Sequence, residues 1–204
     1  IMVEIDNNYV VKYSDVIILA VKPKDFDSVL KQEVCCGLSG KKLLISIAAG
    51  VTTKYIEKAV GKDMPVIRAM PNMAAAIGEA ITSLSRGSSA SDEDIKIAQE
   101  IFSSIGDVIE IDEKFADAVT AISGSGPAYF FYLVEALMEA AESLGLDSKT
   151  ASRLAAKTAL GSAKLLDALK EDPAILRSKV TSKGGTTEAA IAVFEKWKLK
   201  NIII

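Results

Sequence analysis

The chain has 204 residues, 50% of them hydrophobic and 25% charged, which suits one or two globular domains with a sizeable core and excludes a disordered chain. Basic and acidic residues number 24 and 27, a net charge of −3, so the basic excess that phosphate-backbone binding needs is missing. Histidine is absent, which removes Ser-His-Asp and Cys-His catalysis and His-based metal sites; no metal site is expected, and chemistry must run on carboxylates, hydroxyls, lysines or a bound cofactor.

The first half alternates apolar runs with periodic segments, the pattern of an α/β layer. Val16-Ile-Ile-Leu-Ala-Val21 is a continuous apolar run closed by Lys22-Pro23 and is expected as a strand buried on both faces. A short helix from Asp25 to Leu30 follows, then a strand from Lys42 to Ala49 ended by Gly50. Thr52 or Thr53 opens a helix with Ile56, Ala59 and Val60 on one side, and Pro65 to Met70 is a strand stopped by Pro71-Asn72. Ala80 to Arg86 and Val108 to Asp112 are further expected strands. The helix between them starts with Ser91 and Asp94 in capping-box spacing and carries Ile95, Ala98, Ile101, Phe102 and Ile105 as its stripe.

After Asp112 the strand signal stops and Ala and Leu dominate, so the expected domains are 1–112 and 113–204, the second all helical. Pro127 suits a first helical turn after Gly124-Ser-Gly126, with Gly145 ending that helix after Leu144. Asp147 or Ser148 caps a long helix to about Lys170, Asp172-Pro173 starts a short one, and a last one follows the loop Thr181 to Thr187. Small residues along the second of these, from Ala151 to Ser162, allow close helix approach, and the stripes exceed what the helices can bury alone, so homodimerisation is expected. No apolar run reaches the roughly 18 residues of a membrane span, and Ile1 to Asp15 lacks signal-peptide character. The adjacent Cys35 and Cys36 make no disulfide framework. A cytoplasmic protein is expected, and the absent initiator Met and uncapped end suggest a fragment.

Three strand ends, Val21-Lys-Pro23, Ala48-Ala-Gly50 and Met70-Pro-Asn72, stand where open α/β sheets bind ligands, though each alone also reads as an ordinary turn. Asn7 and Asn72 are candidate polar contacts there, or turn residues. Gly124-Ser-Gly-Pro-Ala-Tyr129 mimics a dinucleotide fingerprint but has Tyr129 in place of the third Gly and no strand before it; it reads as a helix–helix turn. Lys179-Val-Thr-Ser-Lys-Gly-Gly-Thr-Thr187 is donor-rich: Gly184 and Gly185 free the backbone, Ser182, Thr186 and Thr187 add hydroxyls, and a helix start adds positive potential. It reads equally as a site for a small carboxylate or as an N-capped loop.

The combination of Ala20-Val-Lys-Pro23, Ser46 to Gly50, Arg68-Ala-Met-Pro-Asn72, Asp117-Ala-Val-Thr120 with Ser123 to Tyr129, and Val180 to Thr187 resembles the Δ1-pyrroline-5-carboxylate reductases. That resemblance implies an incomplete Rossmann-like doubly wound parallel sheet followed by a helical dimerisation domain, in an NADPH- or NADH-dependent enzyme reducing 1-pyrroline-5-carboxylate to L-proline, as a homodimer that can assemble further. By the resemblance, Asn7, Ala20, Val21, Lys22, Pro23, Ile47, Ala48 and Ala49 match positions that contact the dinucleotide. Glu113, Lys179, Thr186 and Thr187 match positions around the substrate, with Ser182 and Gly185 in the same loop and Thr187 at the position of the family's proton donor. Lys183 replaces a usual Pro, Met73-Ala74 a common Thr-Pro and Lys179 a common Asn, and the family's opening glycine-rich turn is not in the chain. A non-catalytic dimerising fragment or regulatory paralogue is the alternative expectation.

Overall fold

The computed structural model describes residues 3–38, 42–60 and 64–204. The chain divides into two compact units, Ile1–Phe131 and Tyr132–Ile204. The expected absence of a Cys35–Cys36 bridge concerns a side chain, that of Cys36, outside the described residues.

The first unit opens with a helix the sequence patterning did not suggest: α1, Asn7–Tyr13, is capped by Asp6, whose carboxylate accepts from the Asn8 N–H at 2.9 Å, and it is anchored by the buried Val11. Strand β1, Val16–Leu19, leads into α2, Pro23–Ser28, with Pro23 in its first turn. The helix runs on through a π-helical turn, Val29–Val34, into α3, Cys35–Gly37, beyond the expected end at Leu30. Then come β2, Leu43–Ser46, α4, Thr53–Val60, β3, Val66–Met70, and a 3-10 turn, Met73–Ile77. Strand β4, Ala80–Arg86, α5, Asp92–Ser103, and β5, Gly106–Glu110, complete the α/β part. The capping box of α5 is present: the Asp94 N–H donates to Ser91 Oγ at 3.3 Å and the Ser91 N–H donates to Asp94 at 2.8 Å.

The five strands lie in the order β1-β2-β3-β4-β5, parallel except that β4 runs antiparallel to β3. The expected doubly wound, largely parallel sheet is thus present, with one antiparallel pairing inside it. The connection from Pro71 to Glu79 is shorter than the dozen or so residues a parallel crossover needs, and Gly78, in the left-handed region at φ 74°, reverses the chain. Apolar cores on both faces of the sheet make it doubly wound. On one face Ile17, Leu19, Leu44 and Val66 pack with Val11, Phe26, Leu30 and Ile56; on the other Leu43, Ile45, Ile67, Ala69 and Leu84 pack with Ile95, Ala98 and Phe102. Strands β2 and β3 are buried at every position, as their continuous apolar runs imply. Strand β1 corrects its expectation: it pairs with β2 alone among the described strands, and Ile18 is 43% exposed.

Strand β5 also starts before the expected Val108. A Cβ at Gly106 would stand 2.1 Å from the Ala80 carbonyl oxygen, and φ there is 145°, so glycine is required where β4 and β5 meet. Asp112 lies outside the strand and caps a 3-10 turn, Glu113–Phe115, by accepting from the Lys114 N–H at 3.1 Å.

From here the chain is helical: α6, Ala116–Val119, continues through a π-helical turn, Thr120–Gly124, and α7, Gly126–Ser143, follows at once. The Gly124-Ser-Gly126 segment is therefore a helix–helix junction. In the second unit, α8, Ser148–Leu169, is capped by Asp147, and α9, Pro173–Lys179, by Asp172. Next come α10, Thr186–Lys196, and an unexpected last helix, α11, Leu199–Ile203.

Candidate functional site

Because β1, β2 and β3 are parallel, their carboxyl ends share one edge. Leu19 is in register with Ser46, and Ser46 with Arg68; the Ile47 N–H donates to the Leu19 carbonyl at 3.1 Å. The edge thus carries Ala20, Val21, Lys22 and Pro23 after β1, Ile47, Ala48 and Ala49 after β2, and Pro71 and Asn72 after β3. Ala48 is buried and its N–H donates to Ser46 Oγ at 3.3 Å, while Ala20 and Ala49 are exposed. Ala20, Ala48 and Ala49 put small side chains at two neighbouring strand ends. Asn72 is held as a turn residue, its side chain accepting from the Ala74 N–H at 3.2 Å. Asn7 stands exposed in the first turn of α1.

The helices that follow these strand ends are tied together. The Tyr55 hydroxyl of α4 donates to Asp27 of α2, and Lys31 pairs with the same carboxylate at 3.1 Å. The Tyr55 hydrogen bond, then Lys31, holds the Asp27 carboxyl below the usual carboxylate range, and Asp27 in turn pushes the Tyr55 phenol up.

Glu113 comes to this region from well along the chain. Its Oε1 accepts from the Thr53 N–H at 2.8 Å and its Oε2 from the Thr53 hydroxyl at 2.6 Å, so it closes the first turn of α4; Arg68 Nη1 lies 3.4 Å from Oε1. Arg68 is 4% exposed in the middle of β3, between Ser46 and Ser85 on the neighbouring strands, both buried. Its Nε and Nη2 find no partner among the described residues. Sequence reasoning had Thr53 only as a possible helix start and Arg68 only within a motif, and gave neither a role in the site. The available signal was a cation inside the apolar run Val66 to Met70, where a charge demands a buried partner.

The donor-rich loop lies in the second unit, between α9 and α10. Gly184 takes φ 74°, and a Cβ on Gly185 would meet Ser182 Oγ at 2.6 Å. The Gly185 N–H donates to the Ser182 carbonyl at 3.0 Å, and the Gly184 N–H to the Glu188 carboxylate at 2.7 Å. These two donors therefore do not converge on one open spot: a carboxylate ligand at Gly184 would stand where the chain's own Glu188 carboxylate now does. Gly185 is the N-cap of α10 and no side chain caps it, so Thr186 and Thr187 are the first helical residues and not caps. Their N–H groups belong to the first turn, which has no intrahelical acceptors. Thr187 is half-buried and Ser182 exposed; Lys179 pairs with Glu171 at 2.5 Å.

A largely parallel, doubly wound sheet with a ligand-type strand edge, followed by helices alone, is the architecture of nucleotide-dependent reductases, and residues 1–50 match the family described as NADP oxidoreductase, coenzyme F420-dependent. Residues 113–204 match the family described as pyrroline-5-carboxylate reductase dimerisation. The pyrroline-5-carboxylate reductase of Methanosarcina acetivorans is 43% identical over 199 residues, covering 96% of this chain and 72% of that protein. Among solved structures, the Coxiella burnetii pyrroline-5-carboxylate reductase superposes with a TM-score of 0.91 at 40% identity, covering 98% of this chain and 74% of that one. The Plasmodium falciparum pyrroline carboxylate reductase, determined with NADP bound, gives a TM-score of 0.89 at 32% identity, covering 97% of this chain and 75% of that one. The chain belongs to the pyrroline-5-carboxylate reductase family.

Proposed function

We propose that the chain reduces the C=N bond of 1-pyrroline-5-carboxylate to give L-proline, the last step of proline biosynthesis, with NADPH or NADH as reductant and as a homodimer. The observation that carries this is the 43% identity to a pyrroline-5-carboxylate reductase over 96% of the chain, a span that includes both the strand edge and the α9–α10 loop. The dimer is supported by the dimerisation family match over residues 113–204 and by the exposed apolar helices of the second unit. No helix among the described residues is long and apolar enough to cross a membrane. The domains assigned are 1–112 for the nucleotide and 113–204 for dimerisation and substrate.

When bound, the dihydronicotinamide supplies a hydride to the imine carbon, and a proton ends on the nitrogen. Ala20 to Pro23, Ile47 to Ala49 and Asn72 would hold it, with Asn7 as a further contact; the small side chains at the strand ends fit a flat ring. The substrate carboxylate would take the N–H groups of Thr186 and Thr187 at the start of α10 and, on displacing Glu188, that of Gly184, while the Gly185 N–H stays on the Ser182 carbonyl; the helix end adds favourable potential. Ser182 and Lys179 border that loop. The Thr187 hydroxyl is far too weak an acid to drive protonation, because efficient donors have pKa values near the working pH. It orients an imine that is already protonated, or relays a proton from water.

Consumption of NADPH and NADH, followed by absorbance on adding 1-pyrroline-5-carboxylate, tests this reading. Wild type turns over, and Thr187→Ala lowers kcat roughly ten- to a hundredfold while raising KM less. An unchanged kcat removes Thr187 from the chemistry, and no turnover from a folded wild-type dimer leaves the non-catalytic alternative.

A further inference from the structure

We propose that Arg68, Glu113 and Thr53 form a buried brace that fixes the first turn of α4, and through it the Ile47–Thr52 loop, so that Arg68 and Glu113 are positioning residues for the nucleotide. The last step rests on the nucleotide reading above; the brace itself does not.

Glu113 binds both donors of Thr53, the N–H at 2.8 Å and the hydroxyl at 2.6 Å, from a position 60 residues later in the chain. The hydroxyl of Thr52 caps the same turn locally, accepting from the Tyr55 N–H at 3.2 Å, so the helix start is held from within and from without. The loop between the last residue of β2 and this turn is short and carries Ile47, Ala48 and Ala49. One end of it is set by the sheet, through the Ile47 N–H on the Leu19 carbonyl; the other end is set by Glu113 on Thr53. Arg68 meets the same carboxylate from the other side, its Nη1 3.4 Å from Oε1. The guanidinium comes off β3, the strand beside β2, is 4% exposed, and has Glu113 as its one ion-pair partner among the described residues. A cation this far from water is costly alone, and removing the half-buried Glu113 leaves it uncompensated. The pair is therefore a device of geometry more than of stability. Both Glu113 oxygens are engaged on Thr53, which assigns this residue to the scaffold of the nucleotide edge in place of the substrate contact that the family resemblance implies.

The experiment measures amide hydrogen exchange in the nucleotide-free chain alongside the nucleotide KM and kcat of Thr53→Val, Thr53→Ser and Glu113→Gln. The expected result is exchange of the 47–55 segment faster by about tenfold or more in Thr53→Val and Glu113→Gln, with exchange in β2 and β3 unchanged and Thr53→Ser, which keeps both donors, like wild type. Thr53→Val then raises the nucleotide KM severalfold with kcat little altered, and Thr53→Ser restores it. Unchanged exchange in 47–55 overturns the brace. Faster exchange with an unchanged nucleotide KM overturns the positioning role. A wild type that oxidises no nucleotide breaks the reductase reading, while the exchange data still decide the brace.

Discussion

The unit Ile1–Phe131 closes a core of large apolar side chains; Tyr132–Ile204 buries none of its own. Leu44, Ile45, Ile56, Val66, Ile67 and Leu84 have 0% exposure, whereas in the second unit only Ala151 and Ala155 are buried, and Leu137, Leu154, Leu160, Leu165 and Phe194 are all more than 40% exposed. A sheet covered by helices on both faces closes a core from its own chain. Helices that present their stripes outward do not, so the second unit reaches a closed core only against another copy. The two halves of the chain thus obey the same rule of burial at two levels, one intramolecular and one intermolecular.

The sharpest way to break that contrast is to charge the outward stripe. Leu133 and Leu137, one turn apart on α7, are 51% and 44% exposed. Replacing both by Asp puts two carboxylates into the dimer contact and costs at least about 3 kcal/mol of association, more than a hundredfold in Kd. Sedimentation velocity should find a monomer, with helical circular dichroism retained as the control. A variant that stays dimeric at the wild-type Kd would place the interface elsewhere.

A second effect, of similar size, sharpens the same comparison from the inside. Ile45 is wholly buried in β2 against Ile67, Leu84 and the α5 stripe. Ile45→Ala removes packing that cannot relax and should cost about 3–4 kcal/mol in urea unfolding, whatever the protein concentration. Leu160→Ala, at a position 47% exposed on α8, should cost less than about 1 kcal/mol in dilute protein and more as the dimer forms. Equal costs at all concentrations would erase the distinction between the units.

How much of this was legible follows from the range of the interactions. Local signals were readable: Ser91 with Asp94 gives the capping box of α5, Asp147 and Asp172-Pro173 start α8 and α9, and the unbroken apolar runs of β2 and β3 are buried on both faces. Helix α1 was not, because its anchoring depends on Val11 meeting a core supplied by later elements. The reversal of β4 depends on Gly78, and the start of β5 on the fit of Gly106 against Ala80, contacts that no periodicity encodes. Of the site, the strand ends and the α9–α10 loop could be placed from motifs. The pairing of Glu113 with Arg68 and Thr53 joins residues 45 and 60 apart, and the seat of Glu188 on Gly184 depends on the turn adopted by the loop; neither is encoded in a local pattern.

The smallest effect is electrostatic and sits at the start of α8. Asp147 accepts from the Thr150 hydroxyl at 2.7 Å and from the Thr150 N–H at 3.0 Å, and these bonds hold its carboxyl below the usual carboxylate range. A carboxylate whose folded pKa is depressed binds protons more tightly when unfolded, so its contribution is complete above the unfolded pKa of about 3.9 and is lost as pH falls through the folded value. Asn at this position still caps the helix but carries no charge to favour the positive helix end. Asp147→Asn should therefore lower the urea midpoint slightly at neutral pH, with the gap to wild type closing only below about pH 4. In the outward-facing unit a single cap acts on a helix with two buried residues, Ala151 and Ala155, so its loss should be read more strongly in dilute monomer than in the dimer. A gap that persisted undiminished under acid would mean that the Asp147 contribution is hydrogen-bond geometry alone and that charge has no part in it.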